Sequence, residues 1–238
     1  MEKDEFDYLM NNYGKKIDIS FNEIQLVQFY EYMNLLIDWN KKINLTAIID
    51  PEEIILKHFI DSLTINKYIE CDKTLVDVGT GAGFPGIPLK IYRNDLKIIL
   101  VDSLNKRINF LNEVVSKLNL QNIYSVHSRI EDFGMENREK FDYSVARAVA
   151  NLQILSEYLL PIVKISGTCI CMKGNDVDEE VKNAKNAIDI LGGKLENVDK
   201  FRLPNSDISR NIVLIKKVKS TPSKYPRKAG LPKKEPLK

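Results

Sequence analysis

Leu75-Val76-Asp77-Val78-Gly79-Thr80-Gly81-Ala82-Gly83-Phe84-Pro85-Gly86 is the stretch that decides the fold. An apolar strand runs into a glycine-rich turn, and the turn runs into a helix. Glycines let a ligand lie against the backbone and permit the tight turn at the carboxyl end of a central strand. Asp102 ends the next apolar stretch, 21 residues after Gly81, where a carboxylate can accept hydrogen bonds from both hydroxyls of a ribose. Together these features describe an adenosine pocket.

Outward from this turn, short apolar strands alternate with helices. Strands are predicted at Thr74–Val78, Ile98–Asp102, Ile123–His127, Tyr143–Ala146 and Thr168–Met172. A helix over Leu104–Leu118 presents Leu104, Ile108, Leu111, Val115 and Leu118 on one face after an Asp102-Ser103 cap. Alternation of this kind implies right-handed crossovers and a mostly parallel sheet with helices on both faces. The end of the chain breaks the rhythm. Lys194–Leu203 and Asn211–Val218 are joined only by Pro204–Arg210, too short for a crossover helix, so they should form an antiparallel terminal hairpin. Upstream, the first seventy residues read as helices. One starts at the cap Asn22, buries Leu26, Tyr30, Met33 and Ile37, and should stop near Trp39-Asn40; another starts at Asp50-Pro51-Glu52-Glu53. The expected division is a helical extension (1–70), a ligand-binding α/β domain (71–218) and a basic, proline-studded tail (219–238).

Two ligands compete for the turn. Gly81-Ala82-Gly83-Phe84-Pro85-Gly86 matches the dinucleotide pattern G-x-G-x-x-G, which would make the chain an NAD-dependent oxidoreductase. Against this, Gly79 precedes the pattern, Pro85 and Pro88 remove amides where a pyrophosphate would need them, and the sheet ends in a hairpin. S-adenosylmethionine (AdoMet) has no pyrophosphate and tolerates such a turn. Asp77, a carboxylate in an apolar strand, should accept amides from the loop, since burying it unpaired is costly. Glu131 and Asp132 either receive an adenine amino group or cap the turn at 128–133. Phe84 either covers the cofactor or fills core.

Net charge is +2, but residues 216–238 hold nine Lys/Arg and one acid. A net-acidic body with a basic tail points to a polyanion met by the tail, where Tyr225 is placed to stack on a base. The charged start, Met1-Glu2-Lys3-Asp4-Glu5, and the lack of any bilayer-length apolar run lead us to expect a cytoplasmic protein without membrane contact. Cys71, Cys169 and Cys171 are too few and badly spaced for a disulfide framework or a zinc site, so buried free thiols and no metal are expected.

Further motifs lie in order along the whole chain: Trp39-Asn40-Lys41-Lys42-Ile43-Asn44-Leu45-Thr46, His58-Phe59-Ile60-Asp61-Ser62-Leu63, Asp77–Pro88, Asp102-Ser103-Leu104-Asn105-Lys106-Arg107, Ser128-Arg129-Ile130-Glu131, Ala146-Arg147-Ala148 and 224–236. With these the chain resembles the bacterial 16S rRNA (guanine-N7)-methyltransferase G family, also called glucose-inhibited division protein B. The resemblance implies a seven-stranded Rossmann-like AdoMet-dependent methyltransferase sheet with an N-terminal helical extension. It implies AdoMet contacts by Gly79, Phe84, Asp102, Ser103, Ile130, Glu131 and Arg147. Gly81, Gly83 and Leu104, within the same motifs, complete the expected cofactor-binding set. The implied partner is 16S rRNA or the small ribosomal subunit, and a monomer is expected.

The residues agree with that chemistry partly through what they lack. After the fourth strand the chain reads Ser144-Val145-Ala146-Arg147-Ala148-Val149, with neither an Asn/Asp-Pro-Pro-aromatic motif for exocyclic amines nor a nucleophilic Cys for cytosine C5. Guanine N7 carries a free lone pair and no proton, so catalysis by positioning needs no general base. Hence no catalytic residue is nominated. Arg147 is assigned either to the cofactor carboxylate or to the O6/N7 edge of guanine, with a surface salt bridge as the plain alternative. Lys173 is a weaker phosphate candidate, and His58 and His127 are read as structural.

Overall fold

The computed structural model describes residues 1–174 and 177–237. Helices α1 (Lys3–Lys15) and α2 (Glu23–Ile43) open the chain. The Asn22 side chain accepts from Gln25 N at 2.9 Å, and the Gln25 side chain returns the bond at 3.0 Å, a closed capping box. α2 runs past the expected stop at Trp39-Asn40 to Ile43, ending at Asn44 with φ 42°. Asn40 acts through its side chain rather than as a terminus: its Oδ1 accepts from Leu45 N (2.6 Å) and Thr46 N (2.9 Å) and so shapes the turn after the helix.

Asp50 caps the next helix by accepting from Glu53 N at 3.0 Å. That helix comprises α3 (Pro51–Ile54), a widened π turn (Ile55–Ile60) and α4 (Asp61–Leu63) without a break. Such widened turns concentrate at functional sites, and this one carries Lys57 and His58 and leads directly into Asp61.

The rest of the chain alternates as expected: β1 (Thr74–Val78), α5 (Gly86–Tyr92), β2 (Lys97–Asp102), α6 (Asn105–Lys117), β3 (Ile123–His127), α7 (Ile130–Glu136), β4 (Phe141–Arg147), α8 (Leu152–Leu159), β5 (Val163–Lys173), α9 (Val177–Ile190), β6 (Gly193–Arg202), β7 (Ser209–Lys217) and α10 (Leu231–Lys234). The seven strands lie in the order β3-β2-β1-β4-β5-β7-β6. β1 to β5 pair in parallel, while β7 pairs antiparallel with both β5 and β6. The chain winds outward from β1 through β2 to β3 and then returns to β4 on β1's other side. The crevice at the carboxyl ends of β1 and β4 is therefore the switch point where open sheets of this kind bind ligands.

Two apolar cores sandwich the sheet. The first joins the N-terminal helices to one face, with Phe6, Met10, Phe29, Tyr32 and Phe59 packed into the same cluster as Leu75, Leu100, Val145 and Ile170. The second, around Val76, Ala146, Leu155, Cys169, Val213 and Tyr225, buries the other face under α8, α9 and part of the C-terminal segment. Cys169 and Cys171 are buried free thiols, and burial pushes Cys169 up to about 12. Cys71 departs from the expectation of a buried thiol: it sits exposed in the turn before β1. Among the described residues no helix is long and apolar enough to cross a membrane.

Candidate active site

The glycine turn spends nearly all of its amides on the ends of β1 and β2 and on its own carbonyls. Gly79 N and Thr80 N donate to Val101 O, Gly83 N and Phe84 N donate to Thr80 O, and Ile87 N donates to Gly83 O. Gly81 N goes to Asp102 Oδ2 at 3.0 Å and Gly86 N to Asp77 Oδ2 at 2.8 Å. With Pro85 and Pro88 lacking N–H groups, no fan of free amides remains to cradle a pyrophosphate. A nucleoside without phosphates fits this turn, and a dinucleotide does not. Gly79 and Gly81, at φ 66° and 62°, hold left-handed conformations that L side chains rarely adopt.

Asp77 accepts from the loop as expected, from Gly86 N and from Thr80 Oγ1 (2.7 Å), both at Oδ2, while its buried Oδ1 has no partner. Complete burial raises its carboxyl to about 7. At the tip of β2, Asp102 is 3% exposed; Oδ1 accepts from Leu104 N at 2.9 Å, and Oδ2 takes Gly81 N and Arg107 Nη1 (3.1 Å). A carboxylate offers about four acceptor positions, so Oδ1 keeps capacity for a ribose hydroxyl. Asp102 thus organises the backbone rather than forming an Asp102-Ser103 helix cap; α6 begins at Asn105, with Leu104 as its N-cap.

A cavity of about 170 Å³ opens beside this carboxylate, and Gly79, Asp102, Ser103, Ile130 and Glu131 line it together with Tyr158, Gly230 and Lys233. Five of the expected cofactor residues therefore meet in one pocket. Gly81, Gly83, Phe84, Leu104 and Arg147 lie outside it. A Cβ on Gly83 would meet Ile87 and the Tyr32 hydroxyl, so this glycine serves close packing against α2. Glu131 neither caps a turn nor faces solvent: it is 4% exposed, and its Oε1 accepts from Gly230 N at 2.8 Å.

Arg147, at the end of β4, is held by the N-terminal helices. Its Nη1 donates to Asp61 Oδ2 (3.0 Å) and Lys57 O (3.1 Å), and its Nη2 to His58 Nδ1 (3.1 Å). Two of its five N–H groups remain for a ligand. The guanidinium lies 5.0 Å over the Phe84 ring, which also stacks on the His58 ring at 4.4 Å and 12° and packs beside Tyr32 and Phe59. Phe84 is thus a packed platform under Arg147. Asp61, 2% exposed, also accepts from Arg210 Nε of β7 at 3.0 Å, so one buried carboxylate sets two guanidiniums. Arg147 does form a salt bridge, as its plain alternative had it, but with a buried carboxylate at the switch point rather than on the open surface.

Because Arg147 donates to His58 Nδ1, the ring proton sits on Nε2 and points at Thr46 Oγ1, 2.9 Å away. Burial, reinforced by Arg147, lowers His58 to about 3. The folded protein therefore binds fewer protons than the unfolded chain below the ordinary histidine value, and stability is lost as pH falls through that window. Between pH 6.5 and 5 this should cost about 2 kcal/mol. Urea unfolding of wild type and His58→Gln at both pH values checks it; equal losses in the two proteins would refute the assignment.

Lys57, His58, Asp61, Arg147, Lys173 and Arg210 line a second cavity of about 430 Å³ at the carboxyl ends of β4 and β5. Its size is that of a small-molecule pocket. Lys173 is not the free phosphate ligand expected, because it is spent on Glu180 (2.6 Å) and Ala150 O (2.9 Å). Asp61 and Arg210 were not singled out from sequence. Asp61 lies in a quoted motif, but Arg210 comes from the hairpin, 149 residues away, and only the fold brings it there. Among the described residues no group of His, Cys, Asp and Glu is placed to hold a metal.

Comparison with known proteins follows this geometry. A family model described as rRNA small subunit methyltransferase G matches residues 25–213. The ribosomal RNA small subunit methyltransferase G of Desulforamulus reducens is 57% identical over 228 residues, covering 94% of this chain and 95% of that protein. The protein of the same name from Clostridium botulinum strain Loch Maree is 51% identical, covering 98% of this chain and 100% of the relative. Among solved structures, TYW2 of M. jannaschii in complex with AdoMet superposes with a TM-score of 0.55 at 14% identity, covering 67% of this chain and 76% of that one. A variant of the 16S rRNA (adenine(1408)-N(1))-methyltransferase from Catenulisporales acidiphilia gives 0.54 at 15% identity, covering 63% and 87%. At these identities the structural likenesses establish the fold alone.

Proposed function

This chain belongs to the rRNA small subunit methyltransferase G family, and from that premise we propose that it transfers the AdoMet methyl group to N7 of a guanine in 16S rRNA. Membership makes it an AdoMet-dependent rRNA methyltransferase. The finer reading takes the 170 Å³ pocket for the adenosine half of the cofactor and the 430 Å³ cavity for the target base. The division into helical extension, methyltransferase domain and tail, and action as a monomer on 16S rRNA or the small subunit, belong to the same reading.

The observation that carries it is the Asp61–Arg147–Arg210 cluster, which holds fixed guanidinium donors at the switch point, with the neighbouring His58 already engaged by Arg147. When bound, AdoMet supplies an electrophilic methyl group on a sulfonium. Guanine N7 can attack that carbon in line with the sulfur without losing a proton, so the chain's work is to orient the base and exclude water. Neutral His58, with its Nδ1 lone pair engaged by Arg147, takes no proton. Arg147 and Arg210 offer N–H groups to O6, a geometry that reads guanine and rejects adenine.

Mapping N7-methylguanosine in 16S rRNA by chemical cleavage at the modified base, with and without the enzyme, tests reaction and site together. Cleavage at one guanine, dependent on enzyme and AdoMet, is expected. Methyl incorporation without N7 cleavage would overturn the assignment of the acceptor atom.

A further inference from the structure

The C-terminal segment, read from sequence as a basic, proline-studded tail that meets a polyanion, is built into the protein up to Arg227. Arg138 clasps it by donating Nη2 to Thr221 O at 2.6 Å and Nη1 to Tyr225 O. Arg227 makes a bidentate pair with Glu157, itself 1% exposed, at 2.6 and 2.9 Å. Lys217 is fully buried between Leu160 O (2.6 Å), Thr221 and Glu139. Tyr225, expected to stack on a base, is 6% exposed inside the second core and has no free face. Three independent anchors therefore fix the path of the chain up to Arg227.

That path delivers Gly230 and Lys233 to the nucleoside pocket. Gly230 N–H donates to Glu131 Oε1 at 2.8 Å and so holds this buried carboxylate from the tail side. Gly230 holds φ 83°, the left-handed turn that swings the following residues over the pocket mouth. Lys233 lines that mouth beside Asp102 and Glu131, which are 3% and 4% exposed. Two carboxylates beside one small cavity repel each other, and a cation at its rim offsets that repulsion.

We propose that the segment following Arg227 is the closing wall of the cofactor's nucleoside pocket, with the Gly230 amide positioning Glu131 and the Lys233 ammonium balancing the Asp102/Glu131 pair. Cofactor affinity then depends on the tail as well as on the glycine turn. The inference rests on the reading of the 170 Å³ cavity as the adenosine site, and the two can fail separately.

The test is AdoMet affinity of the full chain by isothermal titration calorimetry, with the unfolding midpoint recorded for each protein. Lys233→Glu changes an exposed side chain and leaves the packing intact, yet should raise the AdoMet Kd about tenfold, since a third negative charge at the mouth opposes the pocket's order. Gly230→Pro removes the amide together with the left-handed turn, since proline holds φ at about −65°, and should raise it at least as much. Lys219→Glu makes the same charge change away from the pocket and should leave the Kd within twofold of wild type. Glu131→Ala separates the two ideas. If it weakens binding while Lys233→Glu and Gly230→Pro do not, the tail proposal is overturned and the pocket stands. If none of the three shifts the Kd, the pocket assignment itself falls, and the proposal falls with it.

Discussion

Asp61→Ala should lower the unfolding free energy by about 3–5 kcal/mol, the cost typical of removing one partner from a buried ion pair. Both oxygens of this carboxylate are engaged, one by Arg147 and one by Arg210, at 3.0 Å each. Its loss leaves two guanidiniums close together without a counter-charge. The chemistry should suffer as well. Arg147 would keep only its neutral partners, Lys57 O and His58 Nδ1, and a shift on the order of 1 Å in a positioning group costs about a hundredfold in rate. Methyl transfer to small-subunit rRNA at saturating AdoMet should therefore fall about a hundredfold, with AdoMet affinity changing far less. Asp61→Asn, which keeps the shape and removes the charge, should lie between. A wild-type unfolding midpoint in Asp61→Ala would show that the cluster does not bind the two halves of the protein together.

The second large effect falls on the cofactor. Asp102→Ala removes the carboxylate that touches the glycine turn, the start of α6 and Arg107 at once. A charged hydrogen bond contributes about 1.5–3 kcal/mol, and the ribose contact proposed for Asp102 and the acceptor that fixes the Gly81 amide would be lost together. AdoMet binding should weaken by about 3 kcal/mol, on the order of a hundredfold in Kd. Equilibrium dialysis with labelled AdoMet reads this directly. Unchanged affinity would remove Asp102 from the site and leave its role purely structural.

Much of this fold was legible because strand–helix alternation and the short Pro204–Arg210 link restrict the topology severely. The antiparallel β6–β7 pairing follows from that link, whereas the placement of β7 rather than β6 against β5 is set by the fold. Asp77 and Asp102 were legible for a different reason: a carboxylate in or ending an apolar strand must find donors, and local backbone supplies them. What escaped was long-range. The Asp61–Arg210 pair and the Gly230–Glu131 bond join residues 149 and 99 positions apart, and no periodicity encodes such a meeting. Lysines and prolines misdirected the reading of the tail. Composition of that kind describes a solvated arm well, but it does not register that Arg138 and Glu157 wait on the body to receive it. Phe84 was ambiguous because an aromatic beside a glycine turn has the same sequence signature whether it covers a ligand or floors an arginine.

The π turn at Ile55–Ile60 has a consequence for how this protein could be shortened or recombined. It presents Lys57 O and His58 Nδ1 to an arginine that belongs to the sheet, and Asp61 follows within the same helical run. The opening helices are therefore not a detachable accessory to a self-sufficient catalytic module. A chimera that grafted the strands and crossovers onto foreign leader helices would inherit the glycine turn intact and the 430 Å³ cavity with Arg147 adrift.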